Sequence, residues 1–382
     1  MLAAMLFIYG NGSCVNYFCF LSDFIPELVM LVAPAAPAWV SSRWLTIVVS
    51  ALLILPLAVQ KELASLRFVT PVSIMSLVYV AGVVAARCSY YFSEHAHAVN
   101  HAEYGQVKVF ELNADVFKAF SICIFAFNCH MNVVPVADRL VRPTKQRIKK
   151  VAAWVNVLQL AFYLTIGVTG YFTFLAKTPG DILTGFDVDD PFIALGRFLL
   201  SFTMIVASVM SIHPTVRCGL QVHDYFVPDG RVLVPSPPAS PRISPHNSPL
   251  NSPRPSRSQI LSPAPGPRGS RSQILSPASS RGDLILLTAS EPALPRISLT
   301  LLCLVMQVLV AIVVPNVADV ISLLGATVAT SMMMVIPAYA IGKKLPYSIE
   351  NRCQQVILLF FACLSFASLP FKILEMAQAM YT

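Results

Sequence analysis

The chain has 382 residues, 56% of them hydrophobic and only 12% charged, with a formal net charge of +8 and a mean hydropathy of +0.67. Soluble domains carry roughly 25% charged residues, so this composition excludes water as the main solvent. In lipid every backbone N–H and C=O must find an internal partner, which leaves helices or closed barrels, and recurring apolar runs of about 20 residues select helices.

In chain order, the apolar segments run over residues 2–21, 44–59, 68–86, 116–137, 151–176, 192–213, 297–314, 317–341 and 355–374. They predict an all-α, polytopic transmembrane bundle of about nine spans. The first is dotted with Gly10, Asn11, Gly12, Ser13 and Asn16. It lacks a basic leader region, so it reads as a transmembrane helix rather than a signal peptide. Ser201, Thr203, Ser208 and Ser211 dot the sixth span, which is expected to end at His213-Pro214. In the eighth, Gly325 to Ser331 forms a small-residue face suited to close helix packing, and Pro337 predicts a kink. Asp319 and Arg197 are expected to be interfacial, and Trp39 and Trp44 to be aromatic-belt anchors.

Charge orients the chain. With the N-terminus inside, the cytoplasmic connections collect about 20 of the 27 Lys and Arg residues, as the positive-inside rule requires. The opposite side collects Asp23, Glu27, Glu94, Glu103, Glu111, Asp115, Asp181, Asp187, Asp189 and Asp190.

Three parts follow: membrane helices over 1–226, a Ser/Pro/Arg-rich cytoplasmic loop over 227–295, and membrane helices over 296–382. The loop cannot bury enough apolar surface to offset its ordering entropy and is predicted to be disordered. It repeats Ser256-Arg-Ser-Gln-Ile-Leu-Ser-Pro-Ala264 at Ser270 to Ala278. Ser236, Ser240, Ser244, Ser248, Ser252, Ser262 and Ser276 each precede proline, the pattern of a proline-directed kinase substrate. A few phosphates, each adding about −1.5 to −2 charges, would reverse the loop's charge and release it from anionic lipid. Low-complexity drift without regulatory meaning is the alternative.

No catalytic constellation, cofactor motif or metal site emerges, and without a soluble basic domain nucleic acid is not an expected partner. Cys14, Cys19, Cys123, Cys129, Cys303 and Cys363 lie in apolar runs and read as small buried hydrophobes. His95, His97 and His101 read with Glu94 and Glu103 as a solvated acidic loop.

Polarity within the membrane is costly and marks functional pathways. The fourth span carries Asn128, His130 and Asn132 ahead of Pro135. That proline has no N–H and collides with the carbonyl of Met131, so a kink or unwinding is expected just before it. A broken helix offers free carbonyls to a cation and a positive half-helix end to a carboxylate; alternatively, these side chains only bond neighbouring helices. His130 is a candidate proton carrier, since histidine titrates near neutrality.

The segment Phe125-Ala-Phe-Asn-Cys-His-Met-Asn-Val-Val-Pro135 resembles the Phe-x-Phe-x-Cys-His-x-x-x-x-Pro signature of the amino acid/auxin permease family. Leu55 to Leu66, Val168 to Phe174 and Val314 to Ser331 are similar to further family patterns, and the Ser-rich loop resembles the trypanosomatid branch. The resemblance implies a leucine-transporter-like inverted-repeat fold of eleven helices. Aligned by these motifs, the nine spans correspond to helices three to eleven, with the first two absent, and a truncated gene model or a shortened, non-transporting protein would each account for that.

The resemblance also implies secondary active transport of amino acids, coupled to a proton or to sodium. Its substrate half-site would be Phe127, Asn128, Cys129, His130 and Asn132, and Ser208 is the nearest match to a coupling-ion ligand. The membrane would be the plasma membrane or a vacuolar or lysosomal one. The rival reading is a non-transporting receptor or scaffold acting through its phosphorylatable loop.

Overall fold

A computed structural model of the chain describes residues 2–60, 69–97, 107–108, 113, 115–129, 140, 144–226, 293–314, 316–345 and 348–381. Residues 227–292 of the expected disordered loop and all seven Ser-Pro serines, Ser236, Ser240, Ser244, Ser248, Ser252, Ser262 and Ser276, lie outside these residues, as do His130, Asn132 and Pro135, whereas the loop's last three expected residues, 293–295, are helical. The described residues on either side of that loop form one unit, a multi-pass helical membrane protein.

Its helices are α1 (Leu2–Val32), α2 (Arg43–Val59), α3 (Thr70–His97), α4 (Asp115–Ala126), α5 (Lys145–Phe174) and α6 (Pro191–Phe226), then α7 (Ala293–Val313), α8 (Val317–Leu324), α9 (Ile336–Lys344), α10 (Ile349–Phe366) and α11 (Ser368–Tyr381). Each of the nine apolar segments thus forms helix over most of its described length. Seven helical stretches are long and apolar enough to cross a membrane, whereas α2 has 17 residues and α4 has 12.

Several boundaries differ from expectation. The first helix runs past residue 21 to Val32 and carries Pro26 inside it. The sixth does not stop at His213-Pro214 but continues to Phe226. Proline there removes one N–H donor, yet apolar packing on both sides keeps the remaining backbone bonds. Residues 355–374, expected as one span, lie within one such apolar stretch, Ile349–Leu374, with a break at Ala367 between α10 and α11. Pro370 accounts for this, because it has no N–H for the Phe366 carbonyl.

Between α8 and α9, Gly325–Ala329 and Ser331–Val335 form two π-helical turns. They occupy the stretch expected to be only a small-residue packing face. Such turns inside α-helices are uncommon and concentrate at functional sites.

Helix α1 is the axis of the assembly and packs along α6, with further contacts to α2, α7 and α8. Phe18, Leu21, Ile47, Ile54, Val209 and Ile212 form the centre of its core. Close approach of α1 to α6 depends on Gly10, where an added Cβ would meet the Thr215 side chain. In contrast, the apolar midsection of α5 has no buried residue among its described neighbours. Exposed apolar surface of this kind costs nothing in a bilayer. The same reasoning corrects three cysteines: Cys14, Cys19 and Cys303 are buried as expected, but Cys123, Cys129 and Cys363 are exposed. Apolar sequence alone does not distinguish lipid from core.

Candidate functional site

Helix α4 ends at Ala126, nine residues before Pro135 and therefore earlier than the proline predicts. The backbone tightens as it leaves the helix: the Phe127 N–H donates to Cys123 O at 3.0 Å and the Asn128 N–H to Phe125 O at 3.1 Å. Side chains from α5 donate to the carbonyl of Ala126 at this helix end. Gln159 Nε2 donates to Ala126 O at 2.7 Å, and the Tyr163 hydroxyl donates to the same oxygen at 3.0 Å. A helix end in apolar surroundings needs partners of this kind. The Phe127 ring stands edge-on to Tyr163 with centroids 5.3 Å apart.

The other face of the break meets α1. Tyr9 lies against Phe125, their ring centroids 5.3 Å apart, and is within electrostatic reach of Tyr17, Tyr163 and Cys129. The Tyr17 hydroxyl in turn meets the side chain of Ser211 on α6. The end of α4 is therefore bordered by phenols and an amide, a neutral polar lining that can hydrogen-bond a ligand without fixing a charge.

Below the break, α4 is anchored to the π-helical turns. An added Cβ on Gly325 would stand 2.0 Å from Ser121 O, so only glycine permits this approach. The Ser121 hydroxyl is 2.8 Å from Ser368 Oγ and 3.2 Å from Ser365 Oγ, and the Thr330 hydroxyl donates to Ser365 Oγ at 2.7 Å. These four hydroxyls, all buried, tie α4, α10, α11 and the π segment together at an irregular point in the bundle.

Of the residues expected to form the site, Phe127, Asn128 and Cys129 occupy the non-helical exit from α4, while His130 and Asn132 lie outside the described residues. Ser208 is fully buried in α6; its hydroxyl donates to Met204 O at 2.8 Å, and its carbonyl faces the Cys14 thiol of α1. Gln159, Tyr163, Tyr9 and Tyr17 were missed from sequence. Gln159 had a usable signal, an isolated amide in a long apolar run, whereas the tyrosines look like ordinary span residues.

The acidic end of the bundle holds a second group of polar residues. Arg197, expected to be interfacial, is instead 1% exposed. Its Nε lies 2.6 Å from Glu27 Oε2, and its Nη2 donates to Leu183 O and Phe186 O, each at 2.8 Å. The α5–α6 connection wraps the guanidinium because its turn carbonyls need donors, so an interfacial position is lost to burial. Arg43 pairs with Asp23 at 3.1 Å and donates to Val314 O at 3.0 Å. Asp319 pairs with Lys372, and Arg87 with Asp190 at 2.6 Å. Asp181 caps the turn Ile182–Gly185 by accepting from the Leu183 N–H at 3.1 Å. Burial pushes its carboxyl up to about 7, helped by Asp23 and Glu27 and opposed by the Leu183 N–H and Arg197. Among the described residues, no group of three or more His, Cys, Asp or Glu side chains is placed to hold a metal.

Comparison with known proteins gives a family match over nearly the whole chain: the profile of the transmembrane amino acid transporter protein family matches residues 1–376. A proposed amino acid transporter of Toxoplasma gondii is 27% identical over 213 residues, covering 56% of this chain and 28% of that protein. Sodium-coupled neutral amino acid transporter 7 of Xenopus laevis is 26% identical over 225 residues, covering 57% of this chain and 47% of that protein. Its human counterpart is 25% identical over 222 residues, covering 56% and 46%. The matched part thus spans less than half the length of each of these relatives.

Proposed function

The chain belongs to the transmembrane amino acid transporter family, and from that membership we propose that it moves amino acids across a membrane as a secondary active transporter working by alternating access. The observation that carries this reading is the interruption of α4 at Ala126, bordered by Asn128, Gln159, Tyr163 and Tyr9. Broken membrane helices are where transporters hold substrate, since unwound backbone is tolerated in a bilayer only when it lines a protein cavity. In this reading Phe127, Asn128 and Cys129, continued by His130 and Asn132, form the substrate half-site.

The names of the vertebrate relatives favour sodium as the coupling ion, with Ser208 a weak candidate ligand because its hydroxyl is already committed to Met204 O. A proton carried by His130 is the other coupling scheme. The positive-inside rule supports a cytoplasmic N-terminus and a cytoplasmic 227–295 loop, the loop serving in this reading as substrate of a proline-directed kinase. The membrane is the plasma membrane or a vacuolar or lysosomal one.

The test is uptake of radiolabelled neutral amino acids into proteoliposomes containing this chain, with and without a sodium gradient. Saturable uptake that falls at least tenfold in Asn128→Ala, while the variant keeps wild-type thermal stability, supports the half-site. Undiminished uptake in that variant removes Asn128 from it, and no uptake by the wild-type chain removes the transport reading.

A further inference from the structure

At the acidic end of the bundle a cavity of about 460 Å³ opens between α1, the α5–α6 connection and the start of α8. Asp23, Glu27, Gly180, Asp181, Thr184 and Asn316 line it. Among the described residues the charges do not balance. Asp23 is matched by Arg43 and Glu27 by Arg197, which leaves Asp181 as the surplus carboxylate. Its Oδ1 is occupied by the Leu183 N–H, but its Oδ2 is buried and has no hydrogen-bond partner among the described residues. An unmatched buried acceptor of this kind costs about 1–3 kcal/mol, more when charged, unless something fills it.

We propose that this cavity binds a primary ammonium group, with Asp181 Oδ2 as its counter-charge.

Three features select that chemistry. The cavity has room for a group with volume, so a proton alone does not fill it. No cluster of three or more His, Cys, Asp or Glu side chains is placed to hold a metal among the described residues, so a multivalent metal ion would lack its coordination shell, whereas an ammonium needs only an anion and one or two further acceptors. The neighbouring guanidiniums are already committed, Arg197 to Glu27 and the carbonyls of Leu183 and Phe186, and Arg43 to Asp23 and Val314 O. A ligand carboxylate would therefore gain no uncommitted cationic partner among the described residues, and the site favours an amine with one positive charge over a zwitterion. The proposal is separate from the transport reading, because it concerns binding at the acidic end and not passage through the α4 break.

Proton and ammonium compete for the same oxygen. The described charged groups around it are Asp23 and Glu27 from α1 and Arg197 from α6. Because the Asp181 carboxyl titrates at about 7, ammonium binding is about tenfold weaker at pH 6 than at pH 8 by mass action.

The experiment is thermal unfolding of the purified full-length chain in detergent, titrated with methylammonium chloride at constant ionic strength. Tetramethylammonium, which has no N–H donor, and sodium serve as comparison cations. The expected result is a saturable rise in Tm with methylammonium alone, about tenfold weaker in apparent affinity at pH 6 than at pH 8, and absent in Asp181→Asn. An equal shift with tetramethylammonium or sodium, a response independent of pH, or a response retained in Asp181→Asn overturns the proposal. The wild-type pH comparison decides the matter even if Asp181→Asn fails to fold. Failure of amino acid uptake, in contrast, leaves this site untouched.

Discussion

The guanidinium of Arg197, near the start of α6, is buried against the carboxylate of Glu27 on α1, 2.6 Å away. The same side chain holds the carbonyls of Leu183 and Phe186, so one residue joins the first helix of the chain, the α5–α6 connection and α6. Buried pairs of this kind are weak as net stabilisers, but removing one partner strands the other charge.

Arg197→Ala is therefore expected to destabilise the protein by about 3–5 kcal/mol, read as a fall in Tm in detergent. Arg197→Leu in a Glu27→Gln background should recover part of the loss, since the stranded carboxylate is then neutral. If Arg197→Ala unfolds at the wild-type temperature, the clamp does not hold the bundle together.

Gly325→Ala places a methyl group 2.0 Å from Ser121 O, and backbone cannot yield as a flexible side chain does. The expected cost is about 1–3 kcal/mol, with loss of uptake because the end of α4 is shifted. Gly82 is the control: an added Cβ there meets nothing within 4 Å. Gly82→Ala should be neutral or stabilise by roughly 0.5–1 kcal/mol through helix propensity. Equal Tm values for the two variants would contradict the close packing of α4 on the π-helical turns.

The Ala126 carbonyl has two side-chain donors, Gln159 and Tyr163. Tyr163→Phe alone should cost about 0.5–1.5 kcal/mol, because Gln159 still satisfies the oxygen. Adding Gln159→Leu removes the second side-chain donor as well, and the double variant should lose more than the sum of the single changes. A double-mutant cycle on uptake and on Tm measures the coupling; strict additivity would mean that the two donors do not share one acceptor's fate.

Asp181 sets a pH dependence whose sign follows from its raised carboxyl. The native state holds this proton up to about pH 7, whereas the ordinary value is 3.8. Between these values the native state binds more protons than the unfolded one, so stability falls as pH rises through the window of about 4–7. Below it the buried carboxyl is neutral and free of penalty; above it the full cost of the buried charge is present. Asp181→Asn should flatten this component of the Tm–pH curve and leave the variant relatively more stable at pH 8. A wild-type curve that rises across the window at the same slope as the variant's would show that Asp181 titrates normally.

Much of the helix pattern could be read directly. The apolar runs became helices in their expected order because a chain in hydrocarbon has few other ways to satisfy its backbone. The interruption in the fourth segment was also foreseen from Pro135, but its place was not. Helix α4 stops at Ala126, where Gln159 and Tyr163 donate to its carbonyl, and those donors come from 33 and 37 residues further along the chain. Pro214 was read as a terminus and Gly325 to Ser331 as a packing face; the first is carried through by packing, and the second is wound into π turns.

Composition and periodicity by themselves determined that this is a multi-pass helical membrane protein, because lipid imposes that solution on any chain so apolar. Which polar residues are buried, and with whom, was decided only by tertiary structure. Ser121 meets Ser365 across 244 residues, and the burial of Arg197 depends on a carboxylate in α1 and carbonyls in a later turn. An ion pair or a shared acceptor depends on distances of a few ångströms between segments remote in sequence, and no local pattern of residue types encodes those distances.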